Sequence, residues 1–239
     1  GNLNAIQRQF FEPKPAEELY LISEDPWSVN NLADDPAYAS DLNRLRRANS
    51  DWVRGIRDLG FIPEGISDEI RGEQPLYDAV REKNTPMNDI IETAELASLQ
   101  PENHLDELAA RLDHSDPSVR FWAAMGFAIS GNAASEYASS LLSKRDDPSG
   151  AVQVAVAEAL LVAGETTESL NIIEKTLNHP DGHVKLRALN LVETLDDDLI
   201  TEEIKRIIRR FSEEFENQEA AAAGYIFRAS ERLVDKLGL

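Results

Sequence analysis

Cysteine is missing from these 239 residues, and methionine occurs only twice. Without a thiol there is no disulfide framework, no thiolate zinc site and no cysteine nucleophile. Basic residues are scarce: 24 Lys+Arg face 44 Asp+Glu, for a formal charge of −20. So negative a field repels phosphates, which argues against a broad nucleic-acid or anionic-membrane surface. No run approaches the roughly 18 apolar residues of a membrane helix, and no N-terminal apolar run resembles a signal peptide. The chain opens with Gly1 rather than Met, as an excised fragment would, so targeting information is expected to lie outside it. What is present is a 42% hydrophobic content, enough for a core in one or two domains and too much for a disordered acidic chain.

Residues 1–65 hold seven Lys+Arg and eleven Asp+Glu, so most of the negative charge lies in 66–239. Within this first part, Glu18-Leu19-Tyr20-Leu21-Ile22-Ser23, closed by Asp25-Pro26, predicts one strand and a turn, making a small α+β segment. A lone strand leaves its backbone groups unpaired, so its partner is expected elsewhere in the segment or outside the chain. Asp35-Pro36 is a helix start, with an N-cap followed by Pro. The helix places Tyr38, Leu42, Leu45, Trp52 and Ile56 on one apolar face and Arg44, Arg47, Arg54 and Arg57 opposite. It is expected to end near Leu59-Gly60-Phe61-Ile62-Pro63. Residues 66–88, punctuated by Gly72, Pro75 and Pro86, read as a linker with one short helix around Tyr77 to Arg81.

From Asp89 onward the apolar period is helical, and it repeats. Val119, Ala123, Gly126 and Phe127 form one set, Val152, Val156, Ala159 and Leu160 a second, and Val184, Ala188, Leu191 and Val192 a third. Each follows i, i+4, i+7, i+8, and the sets are offset by 33 and 32 residues. A Pro-containing turn precedes each: Ser115-Asp116-Pro117, Asp146-Asp147-Pro148 and His179-Pro180-Asp181. Before each turn lies a second amphipathic stretch, with Leu105, Leu108 and Leu112, then Ala138, Leu141 and Leu142, then Leu170, Ile173 and Leu177. A helix pair of this kind buries only part of its apolar surface, so a mainly α solenoid of stacked pairs over 89–239 is expected. Two further helices, with Ile204, Ile207, Ile208, Phe211 and Phe215 and then Ala222, Tyr225, Ile226, Ala229 and Leu233, would continue or cap it. Lys205, Arg206, Arg209 and Arg210 fall on the far face of the first, a solvated position.

A Pro turn followed by Val and a helix rich in small residues, three times in register, resembles HEAT-like repeats, whose analogy implies a packing and interaction scaffold. The first segment carries a second resemblance. Pro15-Ala16-Glu17-Glu18-Leu19-Tyr20, Asp25-Pro26-Trp27, Val29-Asn30-Asn31-Leu32-Ala33 and Asp35-Pro36 are similar to the C-terminal end of bacterial sulfatases, although Leu21 stands where Asp is commoner. Pro117-Ser118-Val119-Arg120-Phe121-Trp122-Ala123-Ala124 is similar to the repeat helix of sulfatases that carry a helical-repeat tail. This resemblance implies a sulfate-ester hydrolase as parent, a periplasmic or secreted location, and a catalytic domain bearing formylglycine and calcium. Formylglycine arises within Cys/Ser-x-Pro-x-Arg, and the nearest approach here, Ser115-Asp116-Pro117-Ser118-Val119, has Val where Arg is required. No catalytic, cofactor or metal residue is therefore expected in this chain. Its expected partners are its own sulfatase catalytic domain and a sulfated glycan. A free-standing acidic repeat adaptor is the alternative.

Other candidates have ordinary readings. His179 and His183 are four apart, but Pro180 and Gly182 between them make a turn more natural than a two-imidazole metal site. Asp34-Asp35, Asp146-Asp147 and Asp196-Asp197-Asp198 lack EF-hand spacing and read as caps and solvated turns. Trp52 and Trp122 read as core residues, with sugar stacking the other possibility. The Arg44 to Arg57 set suits either a sulfated glycan or a partner surface on the catalytic domain.

Overall fold

The computed structural model describes residues 2–216 and 222–239; Gly1 and residues 217–221 lie outside the described part. The chain is mainly helical, and among the described residues it contains no strand. It divides after Asp58 into two compact units.

In the first unit a short helix, α1 (Ala5–Gln9), starts at Asn4, whose side chain accepts from Gln7 N while the Gln7 side chain accepts from Asn4 N. The expected strand at Glu18–Ser23 does not form. Leu19 instead lies alongside Asn31 and Leu32: Leu32 N donates to Leu19 O at 2.8 Å, and Asn31 Oδ1 accepts from Leu19 N at 2.9 Å. Asn31 Nδ2 also donates to Glu17 O at 3.1 Å, so one amide side chain stands in for a neighbouring strand. Asp25 Oδ2 closes the following turn by accepting from Val29 N and Asn30 N. Asp35 caps Pro36–Tyr38, a single 3-10 turn, which leads into α2 (Ala39–Ile56). This helix ends before the expected Gly60, because Arg57 takes a left-handed conformation and its N–H folds back on the last turn.

The second unit begins with residues 59–88, which include 66–88, expected as a linker with one short helix around Tyr77 to Arg81. They carry α3 (Glu64–Arg71) and α4 (Leu76–Glu82), and Ile66 and Val80 are fully buried. Pro75 and Pro86 stand at the starts of α4 and α5 (Met87–Ser98), so the prolines separate packed helices. The repeat follows as α6 (Leu105–Arg111) and α7 (Pro117–Ile129), α8 (Ala138–Leu142) and α9 (Gly150–Val162), then α10 (Thr166–Leu177) and α11 (Gly182–Thr194). The chain closes with α12 (Glu202–Glu214) and α13 (Ala223–Leu237). All twelve residues of the three apolar sets are buried. Helices α5, α7, α9, α11 and α13 form a row in chain order, each packed on the next. The final pair follows the expected pattern except at Tyr225, which is exposed.

Close approach within this row depends on small residues. A Cβ built on Gly126 would lie 2.6 Å from Leu108 Cδ1 and 3.3 Å from the Ala97 backbone, so α5, α6 and α7 approach closely here and Leu108 would have to shift to admit a side chain. Gly126→Ala is expected to lower stability by about 1–3 kcal/mol through overpacking, measured by chemical denaturation. An unchanged denaturation midpoint would show that α5 and α6 can move apart without loss.

Candidate functional site

The first unit has almost no interior. Among its described residues Val53 alone is buried. The face expected as the packing side of α2 is open: Leu45 is 44% exposed, Trp52 60% and Ile56 45%. Trp52 is therefore not a core residue, in contrast to the sequence expectation. Phe10, Phe11 and Trp27 are also exposed, Trp27 at 86%. Isolated exposed apolar groups are ordinary, but this many in fewer than sixty residues leaves much of the unit's apolar side-chain surface uncovered. The segment keeps its shape through polar contacts instead. Arg46 clamps Glu17 with both forks of its guanidinium, and this bonding holds the Glu17 carboxyl below the usual carboxylate range. Arg44, on the basic side, pairs with Asp41, and Arg47 is exposed.

In the second unit the polar residues gather where α3 packs on α9 and α11. Gly65 of α3 sits 3.3 Å, measured from a built Cβ, from both Ala151 and Val184. The repeat register explains the polar groups beneath it. His114, Asp147 and His179 are offset by 33 and 32 residues, the same intervals as the apolar sets. His114 Nδ1 accepts from Asp116 N, and His179 Nδ1 accepts from Asp181 N. Between them Asp147 accepts from Ser149 N at 2.9 Å, then binds Arg120 of the preceding unit through two bonds of 2.7 and 2.8 Å. Arg120 also donates to the carbonyls of His114 and Ser115. This buried, fully bonded pair joins successive helix pairs, and only the register reveals that Asp147 occupies a histidine position. Of the acidic runs, Asp35 caps a turn, Asp146 pairs with Lys175, which lowers its pKa, and Asp197 pairs with Lys236.

The two histidines take separate roles. Partial burial pushes the His179 pKa below its ordinary value, and its ring lies against Gly150. His183 turns to α3, with Nδ1 3.1 Å from Asp68 Oδ2 and 3.9 Å from Asp181 Oδ1. Neighbouring Glu69 accepts from Ser149 Oγ at 3.3 Å; partial burial raises its pKa, and the charges of Asp181 and Asp147 act in the same direction. A cleft of about 290 Å³ opens beside His183, lined also by Gly65, Phe121, Trp122, Val184 and Arg187. Trp122 donates its indole N–H to Phe61 O at 2.8 Å and is partly buried, packing against the core. Arg187 stands over the Phe121 ring and pairs with Glu158 at 3.1 Å. Ser115-Asp116-Pro117-Ser118-Val119 is the capped start of α7.

Sequence comparison finds a 65-residue stretch that is 40% identical to an ulvan-active sulfatase of Formosa agariphila. It spans 27% of this chain and 11% of that protein. No family model matches, and no solved structure matches. No helix among the described residues is long and apolar enough to cross a membrane.

Removing one member of the Arg120–Asp147 pair strands a buried charge. Asp147→Ala is expected to cost about 3–5 kcal/mol. The double variant with Arg120→Met is expected to cost less than the sum of the two single changes. Additive losses in a double-mutant cycle would mean that the pair does not couple successive helix pairs.

Proposed function

We propose that this chain is the non-catalytic C-terminal module of a sulfatase, with residues 1–58 closing on the enzyme's catalytic domain and 59–239 forming a HEAT-like helical-repeat stack. The observation that carries this reading is the 65-residue similarity to a sulfatase. It is supported by a first unit with one buried residue and uncovered Trp27, Trp52 and Ile56, the surface a partner domain would cover. The chain has no cysteine and no Cys/Ser-x-Pro-x-Arg, so the formylglycine that attacks sulfur, and the calcium that neutralises the sulfate oxygens, belong to the catalytic domain. The substrate class is sulfate esters of sulfated glycans, the name of the similar protein indicating a polysaccharide. A polymeric substrate of this kind supports a location in the periplasm or outside the cell. The repeat unit then packs on the enzyme or contacts the polymer.

A second reading, the acidic adaptor, draws on an open groove of about 430 Å³ lined by Glu102, Asp106, Glu107 and Glu136, which suits a basic partner.

Two measurements separate these readings. The chain alone, with calcium added, is expected to release no sulfate from an aryl sulfate; turnover would place a sulfatase site within it. Trp52→Ala is expected to change the stability of the isolated chain by no more than about 0.5 kcal/mol. In the complete enzyme the same change is expected to lower the melting temperature. Equal, negligible effects in both would remove residues 1–58 as a docking surface and favour the adaptor.

A further inference from the structure

We infer that Asp68, Asp181 and His183 form a site for one divalent transition-metal ion, which clamps α3 to the start of α11. Each residue offers one ligand atom, and all three atoms lie within 4.8 Å of one another. The contact between His183 Nδ1 and Asp68 Oδ2 joins residues 115 apart in sequence, so the fold rather than local turn geometry brings them together. One imidazole nitrogen with two carboxylates suits zinc, cobalt or manganese better than calcium or magnesium, which favour oxygen alone.

The surroundings fit a held ligand set. Asp68 Oδ1 accepts from Arg71 Nε at 2.7 Å, leaving Oδ2 turned to His183. Asp181 is fixed by the N–H groups of His183 and Val184. Bonds of this kind orient first ligands and keep them from swinging away. The N-terminus of α11 opposes a cation with roughly half a positive charge, which two carboxylates on the site exceed. His183 also lines the adjoining cleft of about 290 Å³.

Calorimetric titration of the whole chain with zinc chloride tests this directly. One equivalent is expected to bind, and the melting temperature is expected to rise, returning on chelation. His183→Gln and Asp68→Asn are each expected to weaken binding more than about 10-fold, since loss of even outer-shell support costs about 10- to 100-fold. His104→Gln, outside the cluster, is expected to leave it unchanged. Cobalt in place of zinc is expected to give d–d absorption that disappears in His183→Gln. The site is overturned by absence of saturable zinc binding and a melting temperature indifferent to zinc, by equal zinc affinity in His183→Gln, or by displacement of zinc by equimolar calcium.

Discussion

An amphipathic helix must cover its apolar face, and the two units of this chain meet that requirement in opposite ways. In the described part of residues 59–239 the helices cover one another's apolar faces. Helix α9 is the limiting case, with ten of its thirteen residues buried, including Gln153, because neighbours meet it on several sides. Burial on this scale supplies roughly 25 cal/mol per Å² of apolar surface and is the main term holding the row together. In residues 1–58 α2 has a comparable apolar stripe, yet Trp52 and Ile56 remain open, and the segment is ordered by Asn31, Asp25 and the Arg46–Glu17 clamp. Polar bonds of that sort set a shape but contribute only about 0.5–1.5 kcal/mol each. They do not replace a core.

Much of the repeat unit was legible in the sequence because its information is periodic. Val119, Val152 and Val184 announce the three inner helices, and Asp116 and Asp181 announce their starts. Within residues 66–88 the short helix around Tyr77 to Arg81 was legible and is α4, whereas α3 is too short for a helical period to stand out beside Gly72 and was read as linker. The strand expected at Glu18–Ser23 failed for a different reason. Its apolar and aromatic run is genuine, but Asn31 satisfies Leu19 through a side-chain amide, which no strand propensity describes. Trp52 was misplaced because periodicity identifies an apolar face without saying what covers it.

The polar groups were the least legible. The spacing of His179 and His183 pointed to a turn, and His179 does serve its own turn, but nothing local showed that His183 meets Asp68 from a helix more than a hundred residues away. Asp147 looked like one member of an acidic run. Aligning the units at 114, 147 and 179 would have marked it as a substituted position, and its exchange for histidine is what lets Arg120 be buried beside it. Long-range electrostatic partners carry no local signature, so register is the only sequence signal that reaches them.

The central claim is that the uncovered surface of residues 1–58 belongs against a sulfatase catalytic domain on the same polypeptide. Reading the natural gene upstream of Asn2 tests it most directly. The expected result is a continuous frame carrying Cys/Ser-x-Pro-x-Arg several hundred residues before this chain. An initiating methionine immediately before Asn2 would contradict it.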